Sequence, residues 1–294
     1  MLIPLMPYSS LVCVAHQRYE GVENMQLAEL ERPISDIVPH ILKRPLLSVS
    51  PADSLLHVGT FLAIGPQIYV DGLVVLDGQN PVGRIGGHHI IQYILGHRDG
   101  WFHGTASEIM SHAPSVVEAS EPLSAVIDIF RKTRFAFVPI NIEGKVATSL
   151  SLRDILRVLA GKLITPIREV SSQLISAKYN TSIEKALELM LEKGIRNLSV
   201  RNENKNDIGI INDRKILEFL LSYEGRRIIA SPMGLDAVSL DILDMTAPKY
   251  VKVSIPACIA AEFLSDVNTP CLLLPNDRIV TPWDVVMKGT GKSE

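Results

Sequence analysis

The sequence predicts an α/β (α+β) protein built from four tandem β-α-β-β-α units, and three observations predict it. Four strand–turn–helix junctions recur at a near-constant period. The same order of strand and amphipathic helix precedes each of them. The chain is also 47% hydrophobic over 294 residues, enough for well-filled cores.

The junctions are Gly86-Gly87-His88-His89, Ser151-Leu152-Arg153-Asp154, Asn212-Asp213-Arg214-Lys215 and Thr281-Pro282-Trp283-Asp284. Their first residues lie 65, 61 and 69 positions apart, a regularity that unrelated loops rarely produce. Each follows an apolar, β-branched stretch (Val82–Ile85, Val146–Leu150, Ile208–Ile211, Ile279–Val280), and each leads into a helical run beginning Ile90, Ile155, Ile216 or Val285. Upstream, opening strands are expected at Leu46–Val49, Ser115–Val117, Leu174–Ala177 and Val251–Val253. An amphipathic helix follows. In the third copy Ile183, Ala186, Leu187, Met190 and Leu191 share one face, with Thr181 and Glu184 fitting a capping box at its start. Central strands are expected at Leu73–Leu76, Phe135–Ile140, Leu198–Val200 and Cys271–Leu274, with turns at Asp77-Gly78 and Glu143-Gly144. A unit of about 60 residues buries too little surface to stand alone, so the copies should associate.

Composition narrows the function classes. The 29 basic and 32 acidic residues leave a formal charge of -3 without a long basic run, which argues against nucleic acid as main partner. Cys13, Cys258 and Cys271 show no metal-ligand spacing and suit thiols in a reducing, cytoplasmic setting. Met1–Ala15 is apolar but short and lacks a basic start, so it reads as a docking strand or an over-extended gene start with Met25 as a second initiator. No later stretch reads as transmembrane.

The repeat order and the strand–turn–helix ending, over about Pro33 to Met287, resemble the cystathionine β-synthase (CBS) domain family. The resemblance implies that two repeats pack into a compact pseudo-twofold module with clefts for AMP, ATP or S-adenosylmethionine. Four repeats then imply two modules. The expected boundaries are an extension over 1–32, a first pair over 33–160 (repeats 33–97 and 105–160), a second over 161–288 (repeats 163–222 and 240–288), and a tail over 289–294. The family glycine ahead of the junction is matched by Gly209, whereas Thr148 and Arg278 take its place in the second and fourth copies.

An ionised carboxylate accepts two hydrogen bonds from a ribose diol, and a hydroxyl one turn earlier can bond sugar or phosphate at a helix N-terminus. Ser151 with Asp154, and Thr281 with Asp284, meet that requirement. The same pattern is also a plain helix cap, and the two roles are compatible. In the other copies His89 and Lys215 replace the acid, so neither junction holds a diol by a carboxylate; these groups face a ligand phosphate or simply solvent. The same alternatives apply to Arg134, Arg153 and Arg196 near strand or helix ends, while Val138 and Pro139 either border an adenine or pack in the core.

Catalytic signatures are missing: there is no nucleophile elbow, zinc helix or dinucleotide loop. The tail Gly289-Thr290-Gly291-Lys292-Ser293 lacks the first glycine of a phosphate loop, and His88, His89, His97 and His103 lack metal spacing. The reading is therefore a non-catalytic regulator that binds an adenosine-type ligand between paired repeats and signals to an effector protein. It uses no metal or catalytic cofactor and no membrane, and is expected to form a homodimer. The alternative is a ligand-independent oligomerisation scaffold.

Overall fold

The computed structural model describes residues 28–64 and 71–291. In the first repeat, strands Ser48–Val49, Leu73–Asp77 and Asn80–Ile85 accompany helix Leu55–Ile64 and lead into helix Gly87–His97. The second runs Val117–Glu118, helix Leu123–Thr133, strands Phe137–Ile142 and Lys145–Ser151, then helix Leu152–Leu159. The third runs Ser176–Lys178, helix Ile183–Glu192, strands Asn197–Arg201 and Asp207–Asn212, then helix Asp213–Leu221. In the fourth, the opening strand expected at Val251–Val253 shrinks to a parallel bridge from Tyr250 to Leu273, before helix Ala257–Ser265, strands Leu272–Leu274 and Arg278–Val280, and helix Pro282–Gly289.

One geometry explains the repeated order. The opening strand lies parallel to the central one, as in Ser48↔Val74 and Val117↔Ile140, so a helix must carry the chain back. The third strand lies antiparallel, as in Leu73↔Ile85 and Phe137↔Ser151, so a tight turn suffices. Those turns use residues that tolerate left-handed backbone, Gly78 at φ +63° and Gly144 at φ +83°.

A short leader precedes each repeat and crosses to a neighbour. Pro33 bridges Pro122 while Thr105 bridges Ser54, so the leaders of repeats one and two are exchanged. Pro166 bridges Pro256 while Ser239 bridges Ser182, repeating the exchange between three and four. The sheets of the same partners meet over small apolar clusters, Val74 with Phe135 and Phe137, and Leu174 and Ile210 with Cys271, Leu273 and Ile279. Buried Arg84 adds to the first contact: its guanidinium lies 4.2 Å from the Phe135 ring centre and donates to the Phe137 carbonyl at 3.3 Å. Burial pushes its pKa down to about 10.

The larger clusters run the other way. Leu55, Val58, Ile90 and Ile94 of repeat one pack with Ile183, Leu187, Ile216 and Leu220 of repeat three. Phe130, Ile155 and Leu156 of repeat two pack with Ala257, Ala261, Val285 and Val286 of repeat four. Sheet contacts thus join one with two and three with four, and helices join one with three and two with four. All four repeats share walls of buried apolar side chains.

One local expectation is revised, and two connecting stretches carry structure of their own. The cap of helix Ile183–Glu192 is Ser182, whose hydroxyl accepts from the Lys185 N–H at 3.4 Å, not Thr181. The stretch Ser222–Pro248 between repeats three and four forms helix Tyr223–Ile229 and sends Leu235, Leu240 and Leu243 into the core. His97–Gly104 likewise contains a 3-10 turn that buries Trp101.

Among the described residues no helix is long and apolar enough to cross a membrane. Cys258 and Cys271 are both buried. Cys13, the segment Met1–Ala15, Met25 and Lys292–Ser293 lie outside the described residues.

Candidate ligand-binding site

The fourth residue of each junction decides what that junction can hold. Ser151 and Asp154 form a reciprocal cap: Asp154 Oδ2 accepts from the Ser151 N–H at 2.8 Å and from its hydroxyl at 3.1 Å. Asp154 is 0% exposed because Arg44, from the leader of repeat one, grips it with Nη1 on Oδ1 at 3.2 Å and Nη2 on Oδ2 at 2.8 Å. Burial pushes this carboxyl up, but nearby His40, 3.9 Å away, and the hydrogen bonds from Arg44 outweigh it and hold the pKa below the usual carboxylate range. Lys215 is engaged in the mirror-image way, by Asp244 from the leader of repeat four and by Glu218. His89 turns inward, its Nδ1 accepting from the Gly86 N–H at 3.0 Å. Burial foremost, and neighbouring His88, push its pKa down to about 3.

Asp284 differs. Its Oδ2 accepts from the Thr281 N–H at 2.9 Å and hydroxyl at 2.7 Å, while Oδ1 meets the small Ser172 hydroxyl and Lys288 Nζ at 3.0 Å. Among the described residues no arginine from a leader covers it, and although it is only 4% exposed it lies in the wall of a cavity of about 490 Å³. That volume falls within the range of pockets that enclose cofactor-sized ligands.

The cavity lies where all four repeats meet. Its wall includes the first turns of four helices, through His88, Leu152 with Arg153, Asp213 with Arg214, and Pro282 with Trp283. Helix N-termini carry partial positive charge, and four of them bordering one space favour an anion there. Arg134, Arg153, Arg196 and Arg214 reinforce that field, and Asp71, Asp213 and Asp284 balance it. Arg153 Nη1 lies 3.1 Å from Asp71 Oδ1, and Arg196 lies 3.6 Å from Asp71 and 2.7 Å from Asp213. The Asp213 charge foremost raises the Arg196 pKa, so that guanidinium stays charged. Arg134 sits at φ +60° beyond the end of helix Leu123–Thr133, with its guanidinium 5.7 Å from the Trp283 ring centre. Desolvation foremost, and the Arg196 charge, lower the His88 pKa.

Of the sequence-expected site residues, the structure brings Thr281, Asp284, Arg134, Arg153 and Arg196 to one cavity. It does not bring Ser151, Asp154, Val138 or Pro139 there. Val138 faces the apolar core shared by repeats two and four, and Pro139 is buried beside it on the same strand. Lys215 and His89 also point elsewhere. Asp71, His88, Asp213, Trp283 and Ser172 were not expected as wall residues; only the junction quartets hinted at three of them. Burial foremost, with the Asp284 charge, pushes the Cys271 thiol up to about 12. Among the described residues no group of three or more His, Cys, Asp or Glu side chains could hold a metal ion.

Comparison with known proteins agrees with the architecture. Residues 106–161 and 167–222 match the model of the CBS domain. No curated protein matches the chain. Protein MJ1225 from Methanocaldococcus jannaschii, whose description proposes it as an archaeal homolog of g-AMPK, superposes with a TM-score of 0.74 at 18% identity, covering 86% of this chain and 98% of that one. An uncharacterized conserved protein from Pyrococcus horikoshii gives 0.53 at 15% identity, covering 83% and 94%. The CBS domain protein PAE2072 from Pyrobaculum aerophilum, solved in complex with AMP, gives 0.35 at 22% identity, covering 42% and 88%.

Proposed function

The chain is a CBS-domain protein, and on that premise we propose that it is a non-catalytic regulator which binds an adenosine-type ligand in its central cavity and signals to an effector protein. The carrying observation is the convergence of four helix N-termini and Arg134, Arg153, Arg196 and Arg214 on the space beside the Thr281–Asp284 junction. Asp284 supplies a carboxylate for a ribose diol, and the arginines supply a place for phosphate. That arrangement favours AMP or ATP over S-adenosylmethionine, whose sulfonium would face the arginines. Because the wall draws on every repeat, a ligand bound there biases how the modules 33–160 and 161–288 sit together, and that shift is the signal. The protein acts in the cytoplasm, and pairing of two chains would double the sites.

A thermal-shift panel with adenosine, AMP, ATP and S-adenosylmethionine tests the reading. A ligand that binds the folded state raises the melting temperature, with AMP and ATP outperforming adenosine if the arginines take phosphate. No shift with any of the four would give the lead to the oligomerisation scaffold.

A further inference from the structure

The arginines that line the cavity already hold an anion of the chain's own. Asp71 stands just ahead of strand Leu73–Asp77 in repeat one, and its side chain is 3% exposed. A single oxygen, Oδ1, serves both Arg153 Nη1 of repeat two at 3.1 Å and Arg196 Nη1 of repeat three at 3.6 Å. The fit is poor for two guanidinium forks, each of which can donate two parallel hydrogen bonds to a carboxylate or phosphate. Arg153 Nε is buried with no hydrogen-bond partner among the described residues, an unmet donor on a residue of the cavity wall. Arg196 is also held by Asp213, its Nε donating to Oδ2 at 2.7 Å, so the unmet donor is that of Arg153, which a tetrahedral phosphate bridging both arginines has oxygens enough to satisfy.

We infer that Asp71 is a built-in competitor for the ligand's phosphate, occupying Arg153 and Arg196 until a phosphate displaces it. The inference rests on reading the cavity as a ligand site and names how that site is regulated. Two consequences follow. Asp71 weakens binding of phosphate-bearing ligands by making them compete for charge that is already neutralised. Its displacement also releases ties from repeat one to repeats two and three, which makes ligand entry a change in how repeats are held together.

The test is calorimetric titration of wild type, Asp71→Asn and Asp71→Glu with inorganic pyrophosphate, AMP and adenosine. Removing the competing charge should tighten pyrophosphate and AMP on the order of tenfold, as expected for charge-assisted hydrogen bonds regained by the arginines. Adenosine, which lacks phosphate, should bind both proteins alike, and Asp71→Glu should stay near wild type. Asp71→Ser gives the same comparison if Asp71→Asn does not fold. Pyrophosphate binding no tighter, or weaker, in the charge-removed variant overturns the inference. If adenosine and AMP bind neither protein while pyrophosphate still prefers Asp71→Asn, the adenosine reading fails and the role of Asp71 stands.

Discussion

Arg44 and Asp154 lie 110 positions apart in sequence and form a two-pronged ion pair at 2.8 and 3.2 Å, and that pair closes one of the two Ser/Thr-x-x-Asp junctions. The counterpart Asp284 is held by Ser172 and Lys288 instead and lies in the cavity wall. Breaking a buried ion pair by removing one partner leaves an uncompensated charge and costs about 3–5 kcal/mol. Asp154→Asn and Arg44→Met should therefore each lower stability by about 3 kcal/mol in urea denaturation. The double variant should lose less than the sum, since the partners are coupled. AMP affinity should change little, because neither side chain lines the cavity.

His89 gives the fold a pH dependence. Its Nδ1 accepts a hydrogen bond from the Gly86 N–H, which only the unprotonated nitrogen can do, and its pKa falls from 6.5 to about 3. Between those values the unfolded chain binds the extra proton, so stability is full above 6.5 and declines as pH drops below it. At pH 5 the loss should be on the order of 1–2 kcal/mol. His89→Asn should flatten the melting-temperature profile between pH 7 and 5; an unchanged slope would place the titrating group elsewhere.

Gly72 tests the sheet contact between repeats one and two. A Cβ there would lie 2.0 Å from Phe137 Cε1, inside a cluster with Val74 and Phe135. Gly72→Ala should destabilise by about 1–3 kcal/mol through overpacking. Pairing it with Phe137→Leu should recover part of that loss, whereas a Gly72→Ala protein as stable as wild type would show that this contact yields easily.

Periodicity made the repeats legible, because each alternation of strand and amphipathic helix is a local pattern fixed by which face must be buried. The junction quartets located four helix starts, since strand, turn and cap are neighbours in sequence. The partners of those quartets were not legible. Whether Asp154 or Asp284 lines the cavity depends on Arg44 and Ser172, each more than a hundred residues away and brought in by leaders that cross between repeats. Asp71 was invisible for the same reason, as its arginines come from two other repeats. Thr181 and Ser182 show the residual ambiguity at a helix start, where two adjacent hydroxyls both suit a cap.

The most direct test of the central account is calorimetric titration of AMP into wild type, Asp284→Asn and Asp154→Asn, with each variant's melting temperature measured without ligand. The account predicts that Asp284→Asn weakens AMP on the order of tenfold to a hundredfold, the range for a lost charge-assisted hydrogen-bond pair, while Asp154→Asn lowers the melting temperature and leaves affinity near wild type. AMP binding that survives Asp284→Asn unchanged, or that falls with Asp154→Asn instead, would contradict it.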